Sequence, residues 1–250
     1  MSNTLVGDSE RIREVQGVIQ QASRVDVAVL IHGESGTGKS LVAHLIHEGS
    51  GAGGSFINFD CDVGAPSLLE FELFGHQRGG SPEVRGRKPG MFESANHGTL
   101  FLEHVEYLPP SAQGRLLHVL QDRRLSAGGE PAPTQLDARV IAATDQDLER
   151  VFMAGGFRED LYYCLNIVRI EVAPLRERGR DVVLLAEHFL TELSARCYLP
   201  LKWFTADAQA ALMRYRWPGN VRELRSTVER AALSTDAPAI SAKALGIPRG

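Results

Sequence analysis

The stretch GESGTGKS, from Gly33 to Ser40, decides the fold of this chain. It matches the pattern G-x-x-x-x-G-K-[ST] in full. It follows the apolar run from Val27 to Ile31, which is typical of a buried strand, and it precedes a helical pattern from Leu41 to Ile46. A strand, a glycine-rich loop and a helix in this order turn main-chain N–H groups and a helix N-terminus toward phosphate oxygens. The sequence therefore predicts a phosphate-binding loop in an α/β protein.

Two side chains of this loop have specific roles in nucleotide binding. The Lys39 ammonium would reach the β- and γ-phosphates, and the Ser40 hydroxyl would hold Mg²⁺. We therefore predict ATP or ADP and Mg²⁺ as cofactors. The residues predicted to bind the nucleotide are those of the loop and the one after it: Gly33, Glu34, Ser35, Gly36, Thr37, Gly38, Lys39, Ser40 and Leu41.

Outward from the loop, apolar strand-like runs alternate with helical patterns. This alternation indicates a parallel sheet covered on both faces by helices. Beyond the first run, strands are predicted at residues 56–59, 99–102, 139–143 and 168–172.

After Pro174 the pattern becomes helical, with no strand left. The helical stretches are residues 181–193, 206–215 and 221–233. We therefore predict an α/β nucleotide-binding domain over residues 1–173 and a small all-α domain over residues 174–250.

Composition sets further bounds. The chain has 250 residues, of which 43% are hydrophobic, enough for a substantial core. A net charge of −4 argues against nucleic-acid binding through the overall field of the protein. The cysteines, Cys61, Cys164 and Cys197, have no metal-ligand spacing and fit a reducing compartment. Without an apolar run of about 18 residues or a basic leader, we expect a cytoplasmic protein with no membrane contact.

A series of ordered motifs from about Leu5 to about Leu233 resembles a known family. The chain is similar to the central AAA+ domain of bacterial enhancer-binding proteins, the sigma-54-dependent transcription activators. Besides the loop, the resemblance rests on ELFGH (72–76), GTLFLE (98–103), ARVIAATDQDL (138–148), FREDLYYCLN (157–166), PLRERGRDV (174–182) and WPGNVREL (217–224).

The resemblance implies an AAA+ sheet domain followed by a helical lid. It also implies assembly into a ring, usually a hexamer, with ATP at the subunit interfaces. RNA polymerase or other transcription machinery would be the partner. The family usually carries a sensory domain before this one and a helix-turn-helix domain after it. Contact with DNA is therefore expected only through a domain outside these residues.

At the strand ends the chain departs from the family. Glu103 and His104 stand where the family has Asp-Glu, and Asp60 stands at the position of an Asn that partners the glutamate. The resemblance implies that Glu103 holds Mg²⁺ through water. His104 replaces the acid that polarises the attacking water, although histidine can act as a general base. We predict a hydrogen bond between Asp60 and His104, because both positions of the functional pair have changed.

Further residues are assigned by the same resemblance. Arg158 matches one of two interface arginines, and Cys164 replaces the other. Thr144 matches the sensor on the fourth strand, and Arg222 matches the lid arginine that senses the phosphates. The predicted catalytic residues are therefore Glu103, His104, Asp60, Thr144 and Arg158, with Arg222 added to the nucleotide-binding set.

The loop with which the family contacts sigma-54 also differs. Where activators carry Gly-Ala-Phe-Thr-Gly-Ala, this chain has Gly-Gly-Ser-Pro-Glu-Val at residues 79–84. The aromatic residue and the threonine are missing, so we expect no remodelling of sigma-54 polymerase by the family's route.

Three functions stay open on the sequence alone. The first is a regulatory AAA+ domain that binds ATP or ADP and assembles, with weak or no hydrolysis. The second is an active ATPase in which His104 and Asp60 replace the usual Glu/Asn pair. The third is a nucleotide-stabilised scaffold, or one subunit of a mixed ring. Hydrolysis distinguishes the first two, and ring stoichiometry distinguishes the third.

Overall fold

The computed structural model describes residues 4–75, 89–125 and 134–248, and the chain divides into two compact units. The sheet unit consists of Val18–His32 and Val42–Glu171. The helical unit consists of the residues up to Gly17, the segment Gly33–Leu41 and the residues from Val172 onward.

The sheet unit is built on a five-stranded parallel sheet. The strands, in chain order, are β1 (Val29–His32), β2 (Phe56–Asp60), β3 (Thr99–Glu103), β4 (Arg124–Leu125), β5 (Thr134–Gln135), β6 (Arg139–Thr144) and β7 (Val168–Glu171). The main sheet has the order β2-β3-β6-β1-β7, and β4 and β5 form a separate antiparallel pair. The predicted α/β class and parallel sheet are confirmed, with strand ends shifted by at most two residues.

Helices lie before and between these strands, and parallel neighbours require such connections. Up to Glu171 they are α1 (Glu10–Ala22), α2 (Lys39–Ser50), α3 (Pro66–Phe74), α4 (Met91–Ser94), α5 (Pro110–Asp122), α6 (Leu148–Met153) and α7 (Glu159–Leu165). β6 is buried along its whole length and β3 up to its last residue, which explains their continuous apolar sequences. Leu100, Leu102, Val140 and Ala142 contribute to the core of this unit.

The carboxyl ends of the parallel strands meet at one edge of the sheet. Asp60 ends β2 and pairs in register with Glu103, the last residue of β3. Thr144 ends β6, and the chain enters the glycine-rich loop directly after β1 ends at His32. This edge is where ligands bind in open α/β sheets.

The helical unit has its own core. From Val172 onward its helices are α8 (Asp181–Cys197), α9 (Ala206–Arg214), α10 (Asn220–Leu233) and α11 (Ala242–Leu245). Phe189, Leu212, Trp217 and Val228 are buried together in this core.

One prediction for this unit is wrong. Two short strands, β8 (Trp203–Phe204) and β9 (Ala239–Ile240), form a parallel pair where the sequence predicted only helices. Strands of two residues carry no detectable periodicity, and their pairing depends on how the helices between them fold. The division at residue 173 stays a prediction.

The start of α1 is fixed by a buried carboxylate. Asp181 accepts hydrogen bonds from the main-chain N–H groups of Asp8 (2.9 Å) and Ser9 (3.0 Å) and from the Ser9 hydroxyl (2.5 Å). A side chain at Gly7, where φ is +146°, would lie 2.6 Å from the same carboxylate. Within the described residues, no helix is both long and apolar enough to cross a membrane.

Candidate nucleotide-binding site

The glycine-rich loop adopts a conformation that depends on its glycines. Gly36 and Gly38 have φ values of +77° and +105°, a region that side chains disfavour. α2 begins at Lys39, immediately after this turn. The loop therefore ends at a helix N-terminus, whose N–H groups and partial positive charge attract anions.

Lys39 is buried and held within its own loop. Its Nζ donates to the carbonyl oxygens of Gly33 at 2.7 Å and Glu34 at 3.2 Å. These bonds fix the ammonium on the inner side of the loop, where a phosphate would add a charge-assisted contact.

Within the helical unit, α10 contacts the tip of the loop. The N–H groups of Val221 and Arg222 donate to the carbonyl of Gly36 at 2.9 and 3.3 Å. The Arg222 guanidinium donates to the Ser35 hydroxyl at 3.2 Å. A Cβ on Gly36 would lie 2.4 Å from the carbonyl oxygen of Gly219, so the contact also requires a glycine there. The role of Arg222 in sensing the phosphates stays a prediction.

Glu34 forms the charged part of this contact. Its carboxylate accepts two bonds from Arg176, at 2.6 and 2.8 Å, and one from Asn220 at 3.1 Å. The hydrogen bonds from Arg176 and then Asn220 lower the pKa of Glu34 to about 2, although burial opposes them. Asn220 also donates to the Ser35 carbonyl at 3.0 Å and accepts from the main-chain N–H of Leu175 at 2.9 Å.

Arg178 also binds the main chain of the loop. Its guanidinium donates to the carbonyls of Thr37 at 2.9 Å and Ala173 at 2.8 Å. Burial lowers its pKa to about 10, although Asp181 opposes this. The arginines of this segment differ in their partners: Arg176 forms a salt bridge with Glu34, whereas Arg178 bonds main-chain carbonyls.

In the sheet unit, Asp60 and His104 form a hydrogen-bonded pair. His104 Nδ1 lies 2.8 Å from Asp60 Oδ1, so the predicted bond is confirmed. His104 follows β3 in the left-handed conformation, with φ +53°. Burial lowers its pKa, but the bond to Asp60 and the charges of Asp60, Glu106 and Asp145 outweigh this and raise it above the ordinary value.

The other predicted residues of this sheet edge have different partners. Asn58 donates to Glu103 at 3.3 Å. The Thr144 hydroxyl is buried and bonds the main chain of Gln146 at 3.0 and 3.2 Å. These bonds hold Glu103 and Thr144 at the ends of β3 and β6.

Arg158 precedes α7, Cys164 lies on it, and both make local contacts. Arg158 binds Asp160 through two bonds, at 2.7 and 3.0 Å. Cys164 is partly buried against the core of the sheet unit. The structure therefore brings Asp60 and His104 together, whereas Arg158 is paired with Asp160. The 79–84 loop lies outside the described residues.

Comparison with known proteins identifies the family. Residues 5–171 match the Sigma-54 interaction domain, and residues 176–247 match the AAA+ ATPase lid domain. The chain belongs to the sigma-54 interaction domain family. It is 44% identical over 229 residues to the DNA-binding transcriptional regulator NtrC of Azospirillum brasilense, covering 91% of this chain and 47% of that protein. It is 43% identical over 231 residues to the Sigma54-dependent transcriptional activator SfnR of Pseudomonas putida, covering 92% and 63%.

Solved structures support the same assignment of this sigma-54 interaction domain. NtrX from Brucella abortus in complex with ATP has a TM-score of 0.90 and 32% identity, covering 99% of this chain and 56% of that one. Its complex with ADP gives a TM-score of 0.88, covering 98% and 55%. A RuvB mutant from Thermotoga maritima, 14% identical with a TM-score of 0.62, shares the fold alone. The predicted AAA+ fold is confirmed, and the chain spans about half the length of most of these relatives.

Mg²⁺ fits the donors that this sigma-54 interaction domain offers. A hydroxyl oxygen at Ser40 and a carboxylate at Glu103 are hard ligands, and Mg²⁺ at phosphate sites uses one or two such groups with water and phosphate. The described residues hold no group of three or more His, Cys, Asp or Glu suited to a metal, which a Mg²⁺–nucleotide site does not need.

The sequence did not indicate the contacts or the burial of two residues of the domain, Asn220 and Glu106. Asn220 lies in the WPGNVREL motif and has a φ of +50°. A polar side chain directly after a glycine was the sequence feature that could have indicated its role. Glu106 lies in a short 3₁₀ turn, Val105–Tyr107, and is 8% exposed. Neither of its carboxyl oxygens makes a hydrogen bond of good geometry within the described residues. Burial raises its pKa, and Asp145 adds to the shift.

Proposed function

We propose that this chain is the ATP- or ADP-binding AAA+ domain of a bacterial transcription regulator, with weak or no ATP hydrolysis. The observation that carries the proposal is the closed contact between the glycine-rich loop and α10, with Lys39 inside the loop and Arg222 on Ser35. NtrX, which shares this fold, is known in complex with ATP and with ADP, which supports nucleotide as the ligand.

Each loop residue has a defined part in binding. Lys39 would exchange its carbonyl contacts for phosphate oxygens, which are stronger acceptors because they are charged. Ser40 and Glu103 would hold Mg²⁺, which neutralises phosphate charge when bound. Arg222 would contact the phosphates, because its guanidinium already contacts the loop at Ser35.

Weak hydrolysis follows from the groups that replace the family's catalytic residues. His104 uses Nδ1 to bind Asp60, and an imidazole carries no negative charge with which to polarise a water molecule. The Cys164 thiol supplies none of the positive charge that an arginine offers the γ-phosphoryl group. Arg158 is the one interface arginine that the motif retains.

A second candidate, an active ATPase, is favoured by the Asp60–His104 bond itself. A carboxylate that binds Nδ1 orients an imidazole so that Nε2 can act as a general base, as in hydrolytic triads. In that case His104 and Asp60 would replace the usual Glu/Asn pair.

The wider role is part of the same proposal. We expect a ring, of six subunits by family precedent, acting in the cytoplasm on RNA polymerase or other transcription machinery. DNA would be bound by another part of the protein. The departures at residues 79–84 argue against remodelling of sigma-54 polymerase, and open-complex formation with that polymerase measures it directly.

The deciding experiment is steady-state ATP turnover at protein concentrations where the ring forms. The variants are His104→Glu, Asp60→Asn, Cys164→Arg and the triple combination, with Arg150→Gln on the exposed face of α6 as the matched control. We expect slow turnover in the wild type, little gain from single changes and a large gain from the triple variant, because residues that act as a unit are non-additive. Fast wild-type turnover that falls on His104→Glu would establish the second candidate instead.

A further inference from the structure

The helical unit contains a pocket of about 450 Å³ that none of the predicted nucleotide residues lines. It lies between the end of α9 and the residues around α11. Its polar and aromatic lining comes from Arg214, Tyr215, Arg216 and Lys243. A pocket of this size is within the range of small-molecule sites.

Three cationic residues line this pocket. Arg214, Arg216 and Lys243 are all exposed, and within the described residues no ion pair is found for any of them. Among the residues that the structure describes, no acidic side chain lines the pocket. Because the chain as a whole carries a net charge of −4, this is a local concentration of positive charge. Like charges gathered without a counterion repel one another, and a bound anion would relieve the repulsion.

The aromatic wall of the pocket, Tyr215, is held by contacts of its own. The Tyr215 hydroxyl donates to Glu223 at 3.0 Å, and its ring packs edge-on against Trp217 with centroids 5.0 Å apart. Ile247 and Pro248 contribute apolar surface. The aromatic wall is therefore held in place before any ligand arrives, which lowers the entropy cost of binding.

We propose that this pocket binds a small organic anion that carries a phosphate, sulfonate or carboxylate group on a planar apolar body. The anionic group would be held by the guanidinium groups of Arg214 and Arg216, whose planar donors match such oxygens in pairs. Lys243 adds a third charge, and the apolar body would lie along Tyr215 and Ile247. The site is separate from the glycine-rich loop, so it does not depend on the proposed nucleotide binding.

The test uses 8-anilinonaphthalene-1-sulfonate as the probe, without ADP, and a Lys39→Ala variant measures any contribution of the glycine-rich loop to dye binding. Fluorescence titration and calorimetry compare the wild type with Arg214→Gln, Arg216→Gln and Lys243→Gln. Arg230→Gln, an exposed arginine on α10, is the matched control. Thermal melting of each variant shows that it is folded.

We expect saturable binding at one site, weakened about tenfold or more by each of the three changes, as loss of a charge-assisted bond would cause. The Arg230→Gln control should bind as the wild type does. Ala211→Phe, which fills the pocket without altering its charge, should abolish binding. Adenosine monophosphate should displace the dye.

Two results would overturn the proposal. One is dye binding that is equal in the wild type, the charge variants and Ala211→Phe. The other is binding of a short DNA duplex that depends on the three cations when neither the dye nor adenosine monophosphate binds, which would make this a nucleic-acid surface.

Discussion

His104 Nδ1 lies 2.8 Å from Asp60 Oδ1, which joins the residue after β3 to the last residue of β2. The parallel register of these strands places Asp60 opposite Glu103, so the next residue along is within reach of it. The left-handed backbone at His104 then turns its ring toward the neighbouring strand end. A carboxylate–imidazole pair thus joins the ends of two neighbouring strands.

The first prediction concerns the pKa of His104. Asp60→Asn removes both the bond and the charge that raise it, so we expect the pKa to fall toward or below the ordinary value of 6.5. A histidine whose pKa is raised in the folded state stabilises the fold below pH 6.5, and this stabilisation is lost as the pH rises through the pKa of the folded state. The variant should therefore lose more stability at pH 6 than at pH 9. NMR titration of the ring without nucleotide or Mg²⁺ measures the first effect. An unchanged titration would show that the bond is absent in solution.

The second prediction concerns nucleotide affinity. Lys39→Ala removes a charge-assisted contact to phosphate, worth on the order of 1.5–3 kcal/mol, or about 10-fold to 150-fold in affinity. Calorimetry with ATP and ADP measures it. Arg13→Ala, an exposed cation on α1, should leave affinity unchanged. Equal affinities for the wild type and Lys39→Ala would remove the basis for the phosphate-binding loop.

The sequence predicted the sheet and the loop because their signals are local. Each of the five apolar runs predicts one strand, and GESGTGKS predicts one loop; the structure contains all five strands and the loop. The Asp60–His104 bond could be predicted because both positions of a pair that the family resemblance implies have changed together. In contrast, β8 and β9 pair only after the helices between them fold. The contacts of Asn220 and the burial of Glu106 also depend on residues distant in sequence, so no local pattern indicates them.

A third prediction follows from the pKa of Glu34. The pKa of Glu34 is lowered to about 2 from the ordinary value of 4.5. At pH values above 4.5, the contact of Glu34 with Arg176 and Asn220 therefore stabilises the helical unit. This contribution is lost as pH falls from 4.5 toward about 2. Glu34→Gln should therefore lower the melting temperature at pH 7 and have little effect near pH 2. The loss should be modest because solvent screens the half-exposed pair. A difference of the same size at both pH values would contradict it.

The fourth prediction tests the contact between the loop and α10. Gly36→Ala places a Cβ 2.4 Å from the Gly219 carbonyl at a position where φ is +77°. The loop or α10 must move, so the bonds to Val221 and Arg222 should break and nucleotide affinity should fall. Gly17→Ala, on α1 with open space around it, is the matched control and should be neutral or slightly stabilising. Hydrogen exchange at the Val221 amide measures the contact, and unchanged protection would contradict this role for Gly36.

The last prediction concerns Glu106, whose buried carboxyl lacks a well-formed hydrogen bond. Burial, with Asp145 adding to it, raises its pKa above 4.5, so the folded protein holds this proton more tightly than the unfolded chain does. The associated stability is complete below pH 4.5 and is lost as pH rises through the raised value. At pH 8 the folded state must either bury the charge or open to hydrate it.

Glu106→Gln removes that cost while keeping the size and shape of the side chain. We therefore expect a gain of about 1–3 kcal/mol in the free energy of unfolding at pH 8 and little change near pH 4.5. Denaturant melts at the two pH values measure it, with the exposed Glu187→Gln on α8 as the control. A loss of stability at pH 8 would show instead that the Glu106 carboxylate binds a group that holds its charge.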